Sequence, residues 1–296
     1  MAWAVPDQVP TGYPVDDALA ARRAGVAAME ALDPSAPGIS VEERPLGGVP
    51  CVVCRPDHPR AALIHLHGGG YRLGTARASA AFGARLASAT GATVALADYR
   101  LAPEHPFPAA LLDALAVYQA LAAEVGSTPL VAGDSAGGGL ALAVALACRR
   151  SAVPMPSGLV LFSPWADLTV SAPTFAANAA TDQLFSATSA GEAAAAYLQG
   201  HDPADPLVSP VFADADELAD LAPTLVFAGG EEVLLDDALA LVGALARAKV
   251  SVEAHLVAGM QHVWPTLFPD LPESAAALQA VARFVGRLDA GTAPAP

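Results

Sequence analysis

The stretch Gly133-Asp134-Ser135-Ala136-Gly137-Gly138 follows the apolar run "PLVA" and precedes "GLALAVALACRR". The apolar run reads as a short buried strand, and the Ala/Leu-rich segment has the length and composition of a helix. Ser135 is therefore expected on a tight strand-to-helix turn. Gly133 and Gly137, two positions to either side, match the spacing G-x-S-x-G. Small neighbours are needed there so that strand and helix can approach, and such a turn lifts a serine hydroxyl clear of the sheet. The alternative for so short a pattern is a glycine-rich helix cap.

A serine hydroxyl is a weak nucleophile at neutral pH. It needs a histidine as base and a carboxylate to fix the tautomer of that histidine. On a parallel sheet both belong at the carboxyl ends of later strands, acid first and histidine last. "PTLVFAGGEEVLLDD" places Glu231 and Glu232 just past one predicted strand, and "VEAHLVAGMQHVW" places His262 in the loop after the next. The other histidines fit less well. His58, His65, His67 and His105 precede the serine, His201 falls in a long insertion, and His255 lies within a strand pattern.

The reaction also needs N–H donors aimed at a developing oxyanion. "LIHLHGGGYRLG" puts Gly68, Gly69 and Gly70 directly after a strand. Three consecutive glycines cost backbone entropy that a plain connection would not require. The amides of Gly69, Gly70 and Ala136 are the expected oxyanion donors. Neither a phosphate-binding G-x-x-x-x-G-K-[ST] nor an ordered G-x-G-x-x-G with its ribose carboxylate is present to favour a nucleotide cradle.

Outward from these motifs, short apolar runs alternate with longer amphipathic ones. Strands are expected near 61–67, 92–99, 129–134, 158–163, 223–229 and 251–257. Helices are expected near 15–32, 76–90, 108–124, 136–150, 236–249 and 273–288. "VPCVVCRP" reads as an additional early strand within a Pro- and Gly-rich stretch. This alternation implies an α/β domain with a mostly parallel sheet covered on both faces. Roughly fifty residues, 171–222, interrupt the rhythm with helical candidates and no clear strand, and an insertion of that kind commonly covers a site. Residues 289–296, "DAGTAPAP", read as a disordered tail.

Composition excludes several classes. The 296 residues carry 15 Lys+Arg against 30 Asp+Glu, a formal charge of −15, which disfavours nucleic acid and anionic lipid as partners. The mean hydropathy of +0.42 reflects alanine content, and the most continuous apolar stretch, from Ala136 to Cys148, is too short and glycine-rich to span a bilayer. The N-terminal residues lack the charged and apolar regions of a secretory signal. With three cysteines forming no even framework, a cytoplasmic location is expected. Cys51 and Cys54 form a C-x-x-C, but strand positions three apart face opposite ways, which argues against a redox or metal role.

Taken together, "HGGGY", "DYRLAPEHPFPAAL", "GDSAGGGLA", "SPWADLT", "PLVSP" and "MQHVW" resemble the hormone-sensitive-lipase-like family of bacterial esterases within the α/β-hydrolase superfamily, from about Arg60 to about Phe284. The resemblance implies a mostly parallel eight-stranded sheet flanked by helices. It also implies a small helical cap built from about 1–40 and 171–222, a serine–carboxylate–histidine triad, oxyanion donors in the HGGG segment, and no cofactor or metal. It implies ester hydrolysis and makes a homodimer through the edge strand "SVEAHLV" plausible. Where the family usually has D-x-L-x-D, this chain has Glu232-Val233-Leu234-Leu235-Asp236. Glu232 is therefore the expected triad acid and Asp236 the reserve. "EEVLLDD" with "MQHVW" is further similar to enzymes described as monoterpene lactone hydrolases. The expected substrate is thus a small ester or lactone. An amidase or peptidase using the same triad, and a non-catalytic ligand-binding relative, remain as readings from other classes.

Several neighbours have structural expectations. Asp134 is expected to join a network beneath the elbow, and Tyr99, Arg100 and Glu104 to brace their loop. Trp165 and Trp264 could line an acyl or alcohol pocket or sit in the core.

Overall fold

The computed structural model describes residues 8–31 and 33–289. The elements run α1 (Asp17–Ala27), a 3-10 turn (Ala28–Ala31), β1 (Ile39–Leu46), β2 (Val49–Pro56), β3 (Ala61–Leu66), α2 (Ala80–Thr90), β4 (Ala92–Ala97), α3 (Ala109–Val125), β5 (Leu130–Asp134), α4 (Ala136–Ser151) and β6 (Leu159–Phe162). They continue with α5 (Thr174–Ala177), α6 (Ala187–Leu198), a 3-10 turn (Pro210–Phe212), α7 (Ala215–Leu218), β7 (Thr224–Gly229), α8 (Leu235–Arg247), β8 (Val252–Val257), α9 (Trp264–Leu267) and α10 (Pro272–Asp289).

The eight strands form one sheet in the order β1-β2-β4-β3-β5-β6-β7-β8. β1, β2 and β4 pair antiparallel, and every pairing from β4 through β3 to β8 is parallel. The central strands are apolar on both faces because helices cover both. Ile64, Val131, Leu161 and Val226 enter one core with α3, α4 and α8, whereas Leu63, Ala132, Val160 and Leu225 enter another with α2 and α10. Successive residues thus divide between two cores, as the two-residue period of a strand requires.

Chain order reverses around β3, which lies between β4 and β5. The loops leaving β3 and β5 therefore diverge at a topological switch point, where open α/β sheets form their binding crevices. One carries His67–Gly70 and the other Ser135.

Several elements depart from expectation, α2 among them, which begins at Ala80 rather than near 76. β1, hidden in the Pro- and Gly-rich stretch, carries Glu42, Glu43, Arg44 and Pro45, so it lacks the apolar signature of a strand; its pairing with β2 makes it one. The N-terminal helix closes at Ala27 and tightens into the 3-10 turn, and Leu32, the end of the expected span, lies outside the described residues. α10 runs to Asp289, which removes that residue from the expected tail; 290–296 lie outside the described residues.

Cys51 and Cys54 sit on β2 but belong to opposite cores, so their thiols do not face each other. Burial pushes each thiol pKa up to about 11. No helix among the described residues is long and apolar enough to cross a membrane.

Candidate active site

Ser135 follows β5 directly, with φ 54° and ψ −122°, in a region that a side chain normally avoids. The reason lies in its glycines. A Cβ on Gly137 would sit 1.9 Å from the Leu66 carbonyl oxygen, and one on Gly133 would sit 2.1 Å from that of Gly137. The elbow is so closely packed that only hydrogen fits at those positions. The Ser135 amide donates to Phe162 O at 2.9 Å, and Ser135 O accepts from Trp165 N at 2.9 Å. The turn is thereby stitched to the next strand and its loop.

The Ser135 Oγ lies 2.9 Å from Nε2 of His262, and Nδ1 of the same ring lies 2.6 Å from Glu232 Oε2. All three side chains are buried, with Glu232 fully so. The second carboxylate oxygen, Oε1, accepts the Gly229 amide at 2.7 Å. The Glu232 carboxylate is therefore held from both sides by its own turn and the imidazole. Asp236, in the first turn of α8, faces elsewhere: its Oδ2 accepts the amide of Thr174, at the start of α5, at 3.1 Å. The geometry brings Glu232 to the histidine and leaves Asp236 as a structural group.

Burial alone would lower the pKa of His262. The Glu232 hydrogen bond and charge oppose it, with Asp182 and Asp134 adding to the pull, and together they hold the ring above the ordinary histidine value. This is the arrangement that stabilises an imidazolium formed on the ring.

The histidine loop has its own anchor. Ser163, fully buried after β6, accepts the Val263 amide on its Oγ at 3.0 Å. Phe185 of the insertion stacks on the imidazole, with ring centroids 5.9 Å apart and planes at 15°.

On the opposite side, Gly69 turns back with φ +115°, a conformation closed to side chains, and a Cβ there would meet Leu73 O at 2.3 Å. Among the described residues no protein acceptor engages the amides of Gly69, Gly70 or Ala136. Gly68 is pinned beneath, its amide donating to Asp134 Oδ2 at 3.1 Å. Tyr99 secures the same segment by donating its hydroxyl to His67 O at 2.6 Å.

Among the described residues Asp134 forms no ion pair with a lysine or arginine. His65 Nε2 lies 3.3 Å from its Oδ1, but burial drives the His65 pKa down to about 3, so that ring is neutral. Burial likewise pushes the Asp134 carboxyl up to about 7, against the His262 charge and the Gly68 hydrogen bond. It acts as the expected brace beneath the elbow.

Ser135 and His262 line a cavity of about 690 Å³, within the ordinary range for a small-molecule site. Val26, Met29 and Pro34 of the N-terminal segment and Leu184, Phe185 and Ala193 of the insertion also line it. Both expected cap segments thus reach the cavity. Arg23 fastens the first of them by a two-pronged ion pair to Glu104, at 2.6 and 2.9 Å. Arg100 braces the adjoining loop through Asp113 at 2.7 Å. Trp165 and Trp264 are core residues, 0% and 1% exposed, and neither lines the cavity.

Sequence reasoning missed Ser163, Asn178, Asp182 and Phe185. The motif "SPW" contained the first. The other three stand in "NAATDQLF", where nothing local distinguishes them from polar loop residues.

The chain matches the family described as alpha/beta hydrolase fold over residues 63–266. It is 40% identical over 226 residues to an acetyl-hydrolase of Streptomyces hygroscopicus, covering 75% of this chain and 74% of that protein. It is 37% identical over 263 residues to an esterase of Acinetobacter venetianus, covering 87% and 86%. Among solved structures, a hormone-sensitive lipase from a metagenome library superposes with a TM-score of 0.88 at 36% identity, covering 94% of this chain and 93% of that one. An esterase/lipase from an uncultured bacterium gives 0.85 at 35% identity, covering 96% and 95%. Extended over nearly the whole chain and joined to a serine, histidine and glutamate already in hydrogen-bonded register, these likenesses make the protein a member of the alpha/beta hydrolase fold family, in its hormone-sensitive-lipase-like group of carboxylic ester hydrolases.

Proposed function

We propose that this chain hydrolyses small carboxylic esters of short to medium acyl length through an acyl-enzyme on Ser135. The observation that carries this reading is the continuous hydrogen-bonded line Ser135 Oγ, His262 Nε2, His262 Nδ1, Glu232 Oε2, with links of 2.9 and 2.6 Å, at the wall of a capped cavity.

In the first half-reaction His262 takes the Ser135 proton on Nε2 as Oγ attacks the ester carbonyl carbon. The carbonyl oxygen gains the negative charge and faces the Gly69, Gly70 and Ala136 amides, whose fixed dipoles stabilise it without reorganising. Glu232 holds Nδ1–H and stabilises the imidazolium. The tetrahedral species collapses as His262 returns the proton to the leaving alkoxide, and the alcohol departs. In the second half-reaction His262 deprotonates a water that attacks the acyl carbon. Collapse then expels Ser135 Oγ, which recovers its proton, and the acid leaves.

Support for a small substrate comes from the cavity of about 690 Å³, lined in part by the N-terminal segment and the insertion. A relative named acetyl-hydrolase points the same way. A lactone is an ester closed on itself and needs no further residue, so ring opening belongs to the same reading. Peptide cleavage is less favoured, because it requires better protonation of the leaving nitrogen and a subsite for chain on both sides of the scissile bond.

The test is steady-state hydrolysis of 4-nitrophenyl esters from acetate to palmitate, with a terpene ε-lactone alongside and Ser135→Ala as control. Turnover should peak at short or medium chains and vanish in the variant. Folded wild-type protein that leaves every ester and the lactone intact would overturn the reading.

A further inference from the structure

The turn that carries Glu232, residues 230–233, belongs to neither a strand nor a helix, so its backbone polar groups need partners from elsewhere. The Gly230 and Glu231 amides donate to Val257 O and Met260 O at 2.9 and 3.1 Å, and the insertion supplies partners for the four carbonyls and for the Val233 amide. Asn178 Nδ2 donates to Gly230 O at 3.1 Å and to Glu232 O at 2.8 Å. Thr181 Oγ1 donates to Glu231 O at 2.9 Å, and Thr174 Oγ1 to Val233 O at 2.7 Å. The Val233 amide ends on Asp182 Oδ2 at 2.9 Å. The other oxygen of Asp182 accepts the amides of Leu184 and Phe185, each at 2.9 Å.

One carboxylate thus joins the residue after Glu232 to the segment whose Phe185 ring stacks on His262. We propose that Asp182 is a positioning residue that sets the acid and the base of the site relative to each other, with Asn178 completing the clamp on the Glu232 turn. This inference rests on the triad reading above. A glutamate has one more rotatable bond than an aspartate, so its carboxylate reaches the imidazole in one orientation only if its backbone is fixed. The clamp fixes it. The insertion in this account does two things: it lines the cavity and it holds the turn on which the acid stands.

The proposal predicts separable effects. Asp182→Asn keeps size but leaves one acceptor oxygen for three amides and removes a charge. Its kcat should fall about 10-fold to 100-fold, the scale of a misplacement near 1 Å, with KM changed less than about threefold. Asn178→Ala loosens the turn without altering charge and should lower kcat in the same direction. The charged groups facing His262 are Glu232 from the turn after β7, Asp182 from the insertion and Asp134 from the end of β5. Removing Asp182 should therefore lower the His262 pKa, and Asn178→Ala should leave it near the wild-type value.

The experiment uses the full chain with labelled imidazoles. The His262 pKa is followed by NMR in wild type, Asp182→Asn and Asn178→Ala, beside kcat and KM on 4-nitrophenyl butyrate. The NMR arm reads the clamp even if 4-nitrophenyl esters prove not to be substrates, so failure of the functional reading and failure of this one are distinguishable. A folded Asp182→Asn with wild-type kcat and an unmoved His262 pKa overturns the proposal. A loss confined to KM or to Tm overturns it as well. If Asp182→Asn does not fold, Asn178→Ala decides: a lowered kcat supports the clamp, and wild-type kcat removes it.

Discussion

The two halves of the site are held by different means. The serine half, Ser135 with the Gly68–Gly70 segment, rests on adjacent central strands β5 and β3 and is fixed by backbone packing so close that a Cβ on Gly137 would lie 1.9 Å from Leu66 O. The acid–histidine half stands on turns after β7 and β8, farther along the sheet, and is fixed by side chains reaching in from Ser163 and the insertion. The first half is therefore held by close backbone packing on top of its hydrogen bonds, and the second chiefly by hydrogen bonds. Steric fixing tolerates no added atom, whereas hydrogen-bonded fixing should degrade in steps as single bonds are removed.

Removing the proposed nucleophile tests both halves at once and carries the largest expected loss. Ser135→Ala and His262→Ala should each lower kcat on the order of 10⁶-fold, and their combination should cost little more than either, because the residues act as a unit. Steady-state assays with active-site titration measure this, and additive losses would show that the two residues do not work together.

Glu232→Gln should cost about 10⁴-fold in kcat, the scale seen when a triad carboxylate becomes an amide. Asp236→Asn should stay near wild type, since its carboxylate serves Thr174. Near-full turnover in Glu232→Gln with collapse in Asp236→Asn would reverse the assignment. On the steric side, Gly69→Ala forces a Cβ toward Leu73 O and a φ of +115° onto an L side chain. Displacing one oxyanion donor should cost about 10²- to 10³-fold in kcat, with binding of a neutral product nearly unchanged.

The pH profile compares the halves by charge. In the proposed mechanism His262 must be neutral to accept the serine proton, and its carboxylate neighbours raise its pKa. The acid limb of kcat/KM should therefore lie above the free imidazole value of about 6.5 and fall tenfold per pH unit below it. A limb at or below that value would show that burial outweighs the carboxylates. The smallest effect belongs to Asp134. Its carboxyl is pushed up to about 7, so Asp134→Asn at pH 6 changes little charge and keeps an oxygen for Gly68 N–H. Turnover there should stay within about threefold of wild type. A larger loss would mean that the charged form is needed for turnover.

The serine half was legible in the sequence because its constraints are local. G-x-S-x-G between an apolar run and a helix, and HGGG after another, declare backbone geometry through residues a few positions apart. The strands from β3 to β7 were legible for a related reason: a strand buried on both faces must be apolar throughout. β1 was not, since a charged edge strand bears no such mark and owes its existence to β2. Glu232 and His262 could be ordered along the chain but not brought together, because their 2.6 Å contact depends on two turns meeting across β7 and β8.

What the sequence by itself determined is the chemistry available: a serine on a strained turn, glycines able to expose amides, and a carboxylate and a histidine in the required order. What only the tertiary structure decided is which carboxylate meets the imidazole and what steadies it. Glu232 and Asp236 are both acidic residues past the same strand. The choice between them falls to Gly229 N–H, the Glu232 reach to Nδ1, and the contacts of Asn178 and Asp182 from more than fifty residues earlier in the chain. Those contacts are long-range hydrogen bonds between polar side chains and loop backbone, and no periodicity or local spacing encodes them.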